Sequence, residues 1–489
     1  LGSRGIRADE QVLSDLRIRE LVSLILGKER DEFLWSLFLE PLDSIDSVVY
    51  RLNVFRDLMR TEVYVVTERL VEKVREALSY LETEKEAYEP HKLGLHLDAA
   101  LTYIDALERF YSEMLSLGVE SEGLRGFLDY VRSIVESEHF KAMKEKAIKA
   151  KEARDRIVIR VRIMGDRVVV WRFDGGVDME KVIEELFSRF RSEESRKVKY
   201  IPTTGGMSHI HAAILEGAFK FYGSEYKAMK EFYDEFPKII DDGVAAFVRE
   251  IPFYMLYISF MRKLMSKGYS FTIPRFTSDG RIDVRGFYNI MLAEKTGAVP
   301  NDLFTSGKKR IFVITGMNSG GKTTFATSFG QLVYLAKLGV PVPAQSAEIP
   351  FFTAILTAYP AREDPRESLS RLEQDIVRAT EIMHRSDSST LIIANELFST
   401  TTSDEGFQLA KIFLEELWRK RSYCLFITFL SGVALLDFVI SLVAQPSPED
   451  PLKPSYKIVP GLPPSEYMAV RIASKHGLTY NDLRMVVGR

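Results

Sequence analysis

Cysteine is almost missing from this 489-residue chain: Cys424 is the only one. That excludes an intrachain disulfide framework and any zinc site built on cysteine pairs, and it fits a reducing, cytoplasmic setting. Cys424 lies in an apolar run, which predicts a buried core thiol. An excess of one charge is missing too. Lys and Arg number 66 against 69 Asp and Glu, for a formal net charge of −3. A chain this close to neutral carries no global polyanion-binding signature, so any nucleic-acid surface must be local. Low-complexity segments and internal repeats are absent, and charges within the first ten residues argue against a signal peptide. The longest apolar run, Cys424 to Ala444, approaches the length of a membrane span, but Ser431, Gly432 and Asp437 interrupt it. It is expected to form a buried strand, a turn and a core-facing helix, with no membrane crossing.

What is present is most specific at residues 311–324. Ile311-Phe312-Val313-Ile314 reads as a buried strand, and it runs into Gly316-x-x-x-x-Gly321-Lys322-Thr323. With a helix expected from about Thr323, this pattern predicts a P-loop. Such a loop aims consecutive backbone N–H groups at phosphate oxygens, and the helix adds its positive end. Its glycines let the backbone approach an anion without a Cβ in the way. The nucleotide-binding candidates are Gly316, Asn318, Ser319, Gly320, Gly321, Lys322, Thr323 and Thr324. Lys322 would reach the β- and γ-phosphates of ATP, and the Thr323 hydroxyl would hold Mg²⁺. A chance glycine-rich turn is the plain alternative.

A second apolar strand, Leu391-Ile392-Ile393-Ala394, ends in Asn395-Glu396. P-loop ATPases carry Asp-Glu at this place. Glu396 is the candidate general base, with Lys322 as the other catalytic residue; Thr323, Asn395 and Glu396 are the candidates around the metal. Asn395 keeps an acceptor oxygen but loses the negative charge, so Mg²⁺ affinity and hydrolysis should both fall. An ordinary strand-end carboxylate is the simpler reading of Glu396. His209 and His211 lie two apart, which points them to different helix faces and argues against a shared metal.

The rest of the chain divides by periodicity. Residues 12–155 are helical: Leu16, Leu21, Leu24 and Ile25 share a face, as do Leu70, Val74 and Leu78, and the stretches 92–117 and 123–155 lack proline. Residues 157–173 alternate with period two around Gly165-Asp166, which predicts a β-hairpin. A short helix near 178–192 and a strand near Lys197 to Ile201 would complete a small αβ module; helices resume at about 206. From Lys141 to Arg172 there are eleven basic residues against four acidic, an excess of seven on a chain of net −3. Arg160, Arg162, Arg167, Arg172, Lys197 and Lys199 are candidate phosphate contacts. A solvated helix face has the same composition.

Three segments together resemble one family. They are Val299-Pro300-Asn301-Asp302-Leu303, the loop from Thr315 to Thr324, and Gly339-x-Pro341-Val342-Pro343-Ala344 to Ile349. They are similar to the MutS family of DNA-repair ATPases, whose loop reads T-G-x-N-x-G-G-K-[ST]-T. Tyr456 to Leu462 and Ala469 to Leu478 resemble its closing segment. The likeness is good over roughly 285–489 and weaker before it, where Leu39 to Arg51 resembles the start of the family's core and lever helices.

The resemblance implies an α/β P-loop ATPase domain over 276–489 that also dimerises. It implies a long-helix core/lever domain over 1–155 and 205–275, interrupted by a clamp-like module at 156–204. It also implies ATP and Mg²⁺ as cofactors, and a homodimer in which Ser370, or next Ser368, completes the partner's site. Glu367 to Glu373 looks closer to the family's second, shorter branch. A helix-capping serine is the bland alternative for Ser370, and a hydroxyl-rich turn before a helix capped by Ser403 is the same for Thr400 to Gly406.

Two more positions depart from the family: Phe429 stands where a His is usual, and Ala298 where an aromatic often packs on adenine. With Asn395 these predict a weak or slow ATPase. No counterpart of the family's mismatch-reading or nuclease-like domains is evident. The expected activity is therefore an ATP-dependent clamp on branched or distorted DNA. A ribosome or RNA clamp, and a nucleotide-binding dimeric scaffold without hydrolysis, remain the alternatives.

Overall fold

A computed structural model describes residues 5–29, 31–164, 167–172, 209–360, 370–450, 453–463, 478 and 484. The chain separates into two compact units. One comprises Arg60–Glu120 and Leu124–Ile251; the other comprises Leu1–Met59, Ser121–Gly123 and Pro252–Arg489.

The first unit is built on two long helices, Thr61–Glu84 and Glu89–Leu117. Val63, Leu70, Val74 and Ala77 are buried on one, and Leu93, Leu97, Ala100, Ile104 and Leu107 on the other. Spacings of three and four lay these residues in a stripe on each helix, so the pair zips along its length. The expected run over 123–155 is two helices, Glu122–Val135 and Glu138–Asp155. Ser137 makes the break, because its hydroxyl accepts the Phe140 N–H at 3.1 Å and starts a new helix.

Strands β1 (Ile159–Met164) and β2 (Arg167–Arg172) pair antiparallel, with Met164 opposite Arg167, as the hairpin pattern predicts. The helix His209–Phe221 packs on β2, where a Cβ on Gly217 would sit 3.3 Å from Val170. The helix and strand expected over 178–201 lie outside the described residues.

The second unit holds two sheets. β3 (Arg275–Thr277), β4 (Ile282–Phe287), β5 (Asn301–Thr305) and β7 (Ser346–Pro350) form a four-stranded sheet in the order β3-β7-β4-β5. The other has six strands in the order β12-β11-β6-β10-β9-β8. Its members are β6 (Ile311–Gly316), β8 (Ala354–Ala358), β9 (Thr390–Asn395), β10 (Tyr423–Ile427), β11 (Val439–Pro446) and β12 (Pro454–Pro460). From β8 to β11 every pair is parallel; β12 closes the edge antiparallel. Parallel strands covered on both faces need continuous apolar runs, which is how β6, β9 and β10 read.

One expectation changes here. The apolar run from Cys424 holds β10, a 3-10 turn at Ser431–Leu435 and then strand β11, not a core-facing helix. Val439 pairs with Ile311, so this segment is a sheet neighbour of β6. Helical burial and parallel-strand burial look alike in a short apolar run. Cys424 itself is fully buried, and burial pushes its thiol up, away from ionisation. One helical stretch, Asp242–Met265, is long and apolar enough to cross a membrane, and 67% of its apolar window is buried.

The helix Lys322–Leu338 follows β6 and is buried along almost its whole length. Near its C-terminal end, Lys337 donates to the carbonyls of Phe352 (2.7 Å) and Thr353 (3.0 Å). Burial pulls its ammonium down to about 8. Between about pH 8 and the ordinary lysine range near 10.5, the unfolded chain then holds a proton that the folded chain lacks. Stability attributable to this side chain therefore rises with pH across that window. Relative to Lys337→Met, the unsubstituted protein should gain up to roughly 3 kcal/mol between pH 7.5 and 10.5, read from urea unfolding. Parallel stability curves for the two proteins would refute the assignment.

Candidate functional site

Strand register creates the site. Ile427 of β10 pairs with Ile314 of β6 on one side and with Asn395 of β9 on the other. β9 and β10 therefore end level, β6 runs two residues farther, and the residues that follow all three emerge along one carboxyl edge. That edge is where open parallel sheets place ligand sites.

The glycine-rich turn after β6 is held in left-handed conformations. Gly316 has φ +110°, Ser319 +58° and Gly321 +87°. At Gly316 a side chain is excluded twice, by φ and because a Cβ would lie 2.9 Å from the Ala444 backbone N and O. Gly321 caps the helix that begins at Lys322. The loop surrounds a cavity of about 720 Å³. Asn318, Ser319, Gly320, Gly321, Lys322, Thr323, Thr324 and Glu396 line it.

Lys322 is 5% exposed, and its Nζ donates to the carbonyls of Gly316 (3.0 Å) and Met317 (2.9 Å). The Phe429 ring centroid lies 4.6 Å from the same nitrogen. Burial lowers the ammonium from its ordinary value, and the Glu396 carboxylate opposes that shift more weakly. The Thr323 hydroxyl donates to Asn395 Oδ1 at 3.0 Å. Glu396 sits just past β9 with φ +59°, and its N–H reaches the Ile427 carbonyl at 2.9 Å. Phe398, two residues on, is also left-handed at +64°; the Asp375 carboxylate accepts its N–H at 2.9 Å. Burial raises the Asp375 carboxyl. A non-glycine residue in this region stores strain, and two so close in sequence mark a constrained turn.

Other candidates fall elsewhere. Ser370 caps the helix Arg371–Arg385 in a reciprocal box: Ser370 Oγ accepts the Glu373 N–H (3.3 Å) and Glu373 Oε2 accepts the Ser370 N–H (2.7 Å). Ser370 does not line the cavity, and Ser368 lies outside the described residues. Thr402, not Ser403, caps the helix Ser403–Arg419.

The basic stretch also resolves differently from its composition. Lys141, Lys144, Lys146, Lys149 and Arg154 form ion pairs with Glu138, Glu108, Glu235, Glu145 and Asp98. Much of the local excess is thus offset by carboxylates, several of them distant in sequence. On the hairpin, Arg160 and Arg162 are exposed and pair across the strands with Trp171 and Val169, whereas Arg172 pairs with Ile159. Strand alternation puts Arg172 on the opposite face from Arg160 and Arg162. Its guanidinium lies 5.2 Å from the Tyr222 ring centroid. The four hairpin arginines therefore do not form one surface. Arg167 is paired with Met164 in register; Lys197 and Lys199 lie outside the described residues.

Four aromatic cavity residues escape the sequence reading: Phe287, Tyr288, Phe325 and Tyr456. Tyr456 has φ +60° and is half exposed, and a Cβ on Gly321 would lie 3.3 Å from its ring. Asn301 fixes it, donating to the Tyr456 carbonyl at 3.0 Å and accepting the Ile458 N–H at 2.8 Å. Asn301 was visible in the Val-Pro-Asn motif, but nothing in its spacing discloses a partner 155 residues away. Ala298 also lines the cavity.

Residues 312–447 match the family model described as MutS domain V. Over these residues the chain is similar to the MutS family. It is 31% identical over 170 residues to the DNA mismatch repair protein MutS of Thermotoga petrophila, covering 35% of this chain and 21% of that protein. It is 33% identical over 191 residues to the Endonuclease MutS2 of the same organism, covering 38% and 25%. The DNA mismatch repair protein MutS of Thermus thermophilus is 29% identical over 213 residues, covering 43% and 26%. The chain thus spans about a fifth to a quarter of the length of the curated relatives it matches. Its mixed α/β architecture, with long helices and sheets, fits MutS domain V.

The loop geometry generates a direct expectation. Gly316→Ala should lose roughly 2–3 kcal/mol, the cost of a left-handed non-glycine residue plus backbone crowding. The check is the urea midpoint, and an unchanged midpoint would mean that the loop relaxes freely.

Proposed function

We propose that this chain is a nucleotide-dependent ATPase that grips DNA as a dimer, with hydrolysis slowed at Asn395. The observation that carries this reading is the Thr323–Asn395 hydrogen bond beside Lys322 and Glu396. It joins the helix that follows the loop to the end of β9, two strands away from β6 in the sheet, the arrangement that nucleotide hydrolysis requires. Relatives named for mismatch repair support a role on DNA.

The residues fit a magnesium nucleotide. The loop from Gly316 to Thr324, with Asn318, Ser319, Gly320 and Gly321, would bind the phosphates through backbone N–H groups and Lys322. A phosphate would give the Lys322 ammonium the anionic partner it lacks among the carbonyls of Gly316 and Met317. Thr323, Asn395 and Glu396 are the residues that would hold Mg²⁺, whose charge would offset that of the phosphates. Glu396 would orient and deprotonate the attacking water. An amide at 395 accepts a weaker hydrogen bond than a carboxylate and supplies no charge, so the site favours binding over turnover.

In this reading 276–489 is the ATPase and dimerisation domain, 1–155 and 205–275 form the core and lever, and 156–204 is the clamp-like insert. Apolar side chains are exposed on the ATPase unit at Ile376, Val377, Ile412 and Leu435, which suits a homodimer interface. Ser370, or Ser368, would then approach the partner's nucleotide, and Ser370 would have to leave its cap to do so. Ligand binding would act by favouring one of two dimer arrangements. The substrate would be branched or distorted DNA. A ribosome or RNA clamp, and a scaffold without hydrolysis, are the competing outcomes.

Two experiments test this. Steady-state ATP hydrolysis with Mg²⁺ should rise about tenfold or more in Asn395→Asp and vanish in Lys322→Ala, by the difference between charged and neutral acceptors. If all three proteins are silent yet bind nucleotide, the chain is a scaffold. Reversing Arg160 and Arg162 to Glu should weaken binding to a four-way DNA junction and flatten its salt dependence, while reversing Arg172 should do less. Equal binding by all variants would exclude the hairpin, and preference for structured RNA would favour the RNA clamp.

A further inference from the structure

The opposite edge of the six-stranded sheet carries a second, unrelated surface. Lys308-Lys309-Arg310 enters β6, and Trp418-Arg419-Lys420-Arg421 enters β10, more than a hundred residues later. Parallel pairing of Ile311 with Cys424 brings the two tracts side by side. A cavity of about 420 Å³ lies between them, lined by Lys308, Arg310, Trp418, Arg419, Arg421 and Ser422. Four of its six residues are basic and none is acidic. Among the described residues, no carboxylate forms an ion pair with Lys308, Arg310 or Arg421; Arg419 meets only the half-buried Glu416 at 3.3 Å.

The surface is held rigid. The Arg310 guanidinium donates to the carbonyls of Gly307 (3.1 Å), Ser388 (3.2 Å) and Arg421 (2.9 Å), and lies 4.6 Å from the Tyr423 ring centroid. Trp418 is 49% exposed, and its inner face is stacked near-parallel on Phe438, with ring centroids 5.4 Å apart. That leaves a fixed indole plane beside a group of cations. Arg421 ends the preceding helix with φ +58°, where glycine would be the unstrained residue.

We propose that this cavity binds a segment of single-stranded nucleic acid, with a base stacked on Trp418 and its phosphates against Lys308, Arg419 and Arg421. A cationic groove with an aromatic platform suits a strand whose phosphates and base faces recur together. An acidic peptide would use the cations but leave the indole without a planar partner. The proposal goes beyond the hairpin and the nucleotide loop and rests on neither.

The test uses the full chain carrying Trp35→Phe and Trp171→Phe, which leaves Trp418 as the only tryptophan. Titration with a twelve-residue oligo(dT) should quench its fluorescence, with an affinity that falls as salt rises, at a log–log slope of about −2 for three contacts. Lys308→Glu should weaken this binding about tenfold. Arg421→Gly should weaken it several-fold while leaving the melting temperature equal or higher, because the left-handed residue is relieved; that combination separates binding from folding. Reversing Arg160 and Arg162 to Glu should leave the quenching intact. Absence of quenching at low salt, or equal quenching in Lys308→Glu, would overturn the proposal. So would competition by polyglutamate, which would mark a peptide site, or equal affinity for dTMP, which would mark a free-nucleotide site.

Discussion

The structure depends on one backbone ladder, the parallel pairing of β6 with β10 and β11. Ile311 stands beside Cys424 on one side and Val439 on the other, and Ile314 stands beside Ile427 and Leu442. Side chains on parallel strands point both ways into packed layers, so a slip by one residue would exchange the two faces throughout. The same ladder decides what meets beyond the strand ends. At the carboxyl edge it brings the glycine loop to Asn395, Glu396 and Phe429; at the amino edge it brings Lys308 to Arg310 against Trp418 to Arg421.

How polar groups are satisfied along the carboxyl edge explains its rigidity. Among the described residues no carboxylate is in hydrogen-bond contact with Lys322, which instead satisfies itself on two carbonyls and an aromatic face. Thr323 and Asn395 satisfy one another. The turn after β9 holds two left-handed residues, and Asp375 reaches in from a neighbouring helix to take one of their N–H groups. Each group has a partner that a bound anion or cation could replace. Such a site exchanges contacts on binding and does not have to create order from nothing.

The parts of the fold legible in sequence were those written in local periodicity. Leu70 and Val74 announce a helix by their spacing, although Leu78, read on the same face, is 40% exposed, and the proline-free stretch 92–117 announces another; the hairpin announces itself by alternation, and the loop by its glycines. What was hidden needed pairing at long range. The segment Val439–Pro446 reads as apolar in any conformation, and only its place beside β6 makes it a strand. Glu108, Glu235 and Asp98 neutralise the basic helix from afar, so composition overstated its charge. Counting arginines over 160–172 likewise ignored the pleat, which sends Arg172 to the other face. Around the loop, motif spacing pointed to the residues from Gly316 to Glu396. Tyr456 was out of reach because it arrives on β12 through an asparagine bond to β5.

The burial of Cys424 carries a practical consequence. This thiol lies in β10 between β6 and β9, fully enclosed and resistant to ionisation. Thiolate-seeking reagents therefore meet no competing target on the folded protein. Any cysteine introduced on an exposed helix or loop becomes a unique attachment point for a spin label or dye, with no background to remove. Distances between helices could then be followed with and without an added ligand.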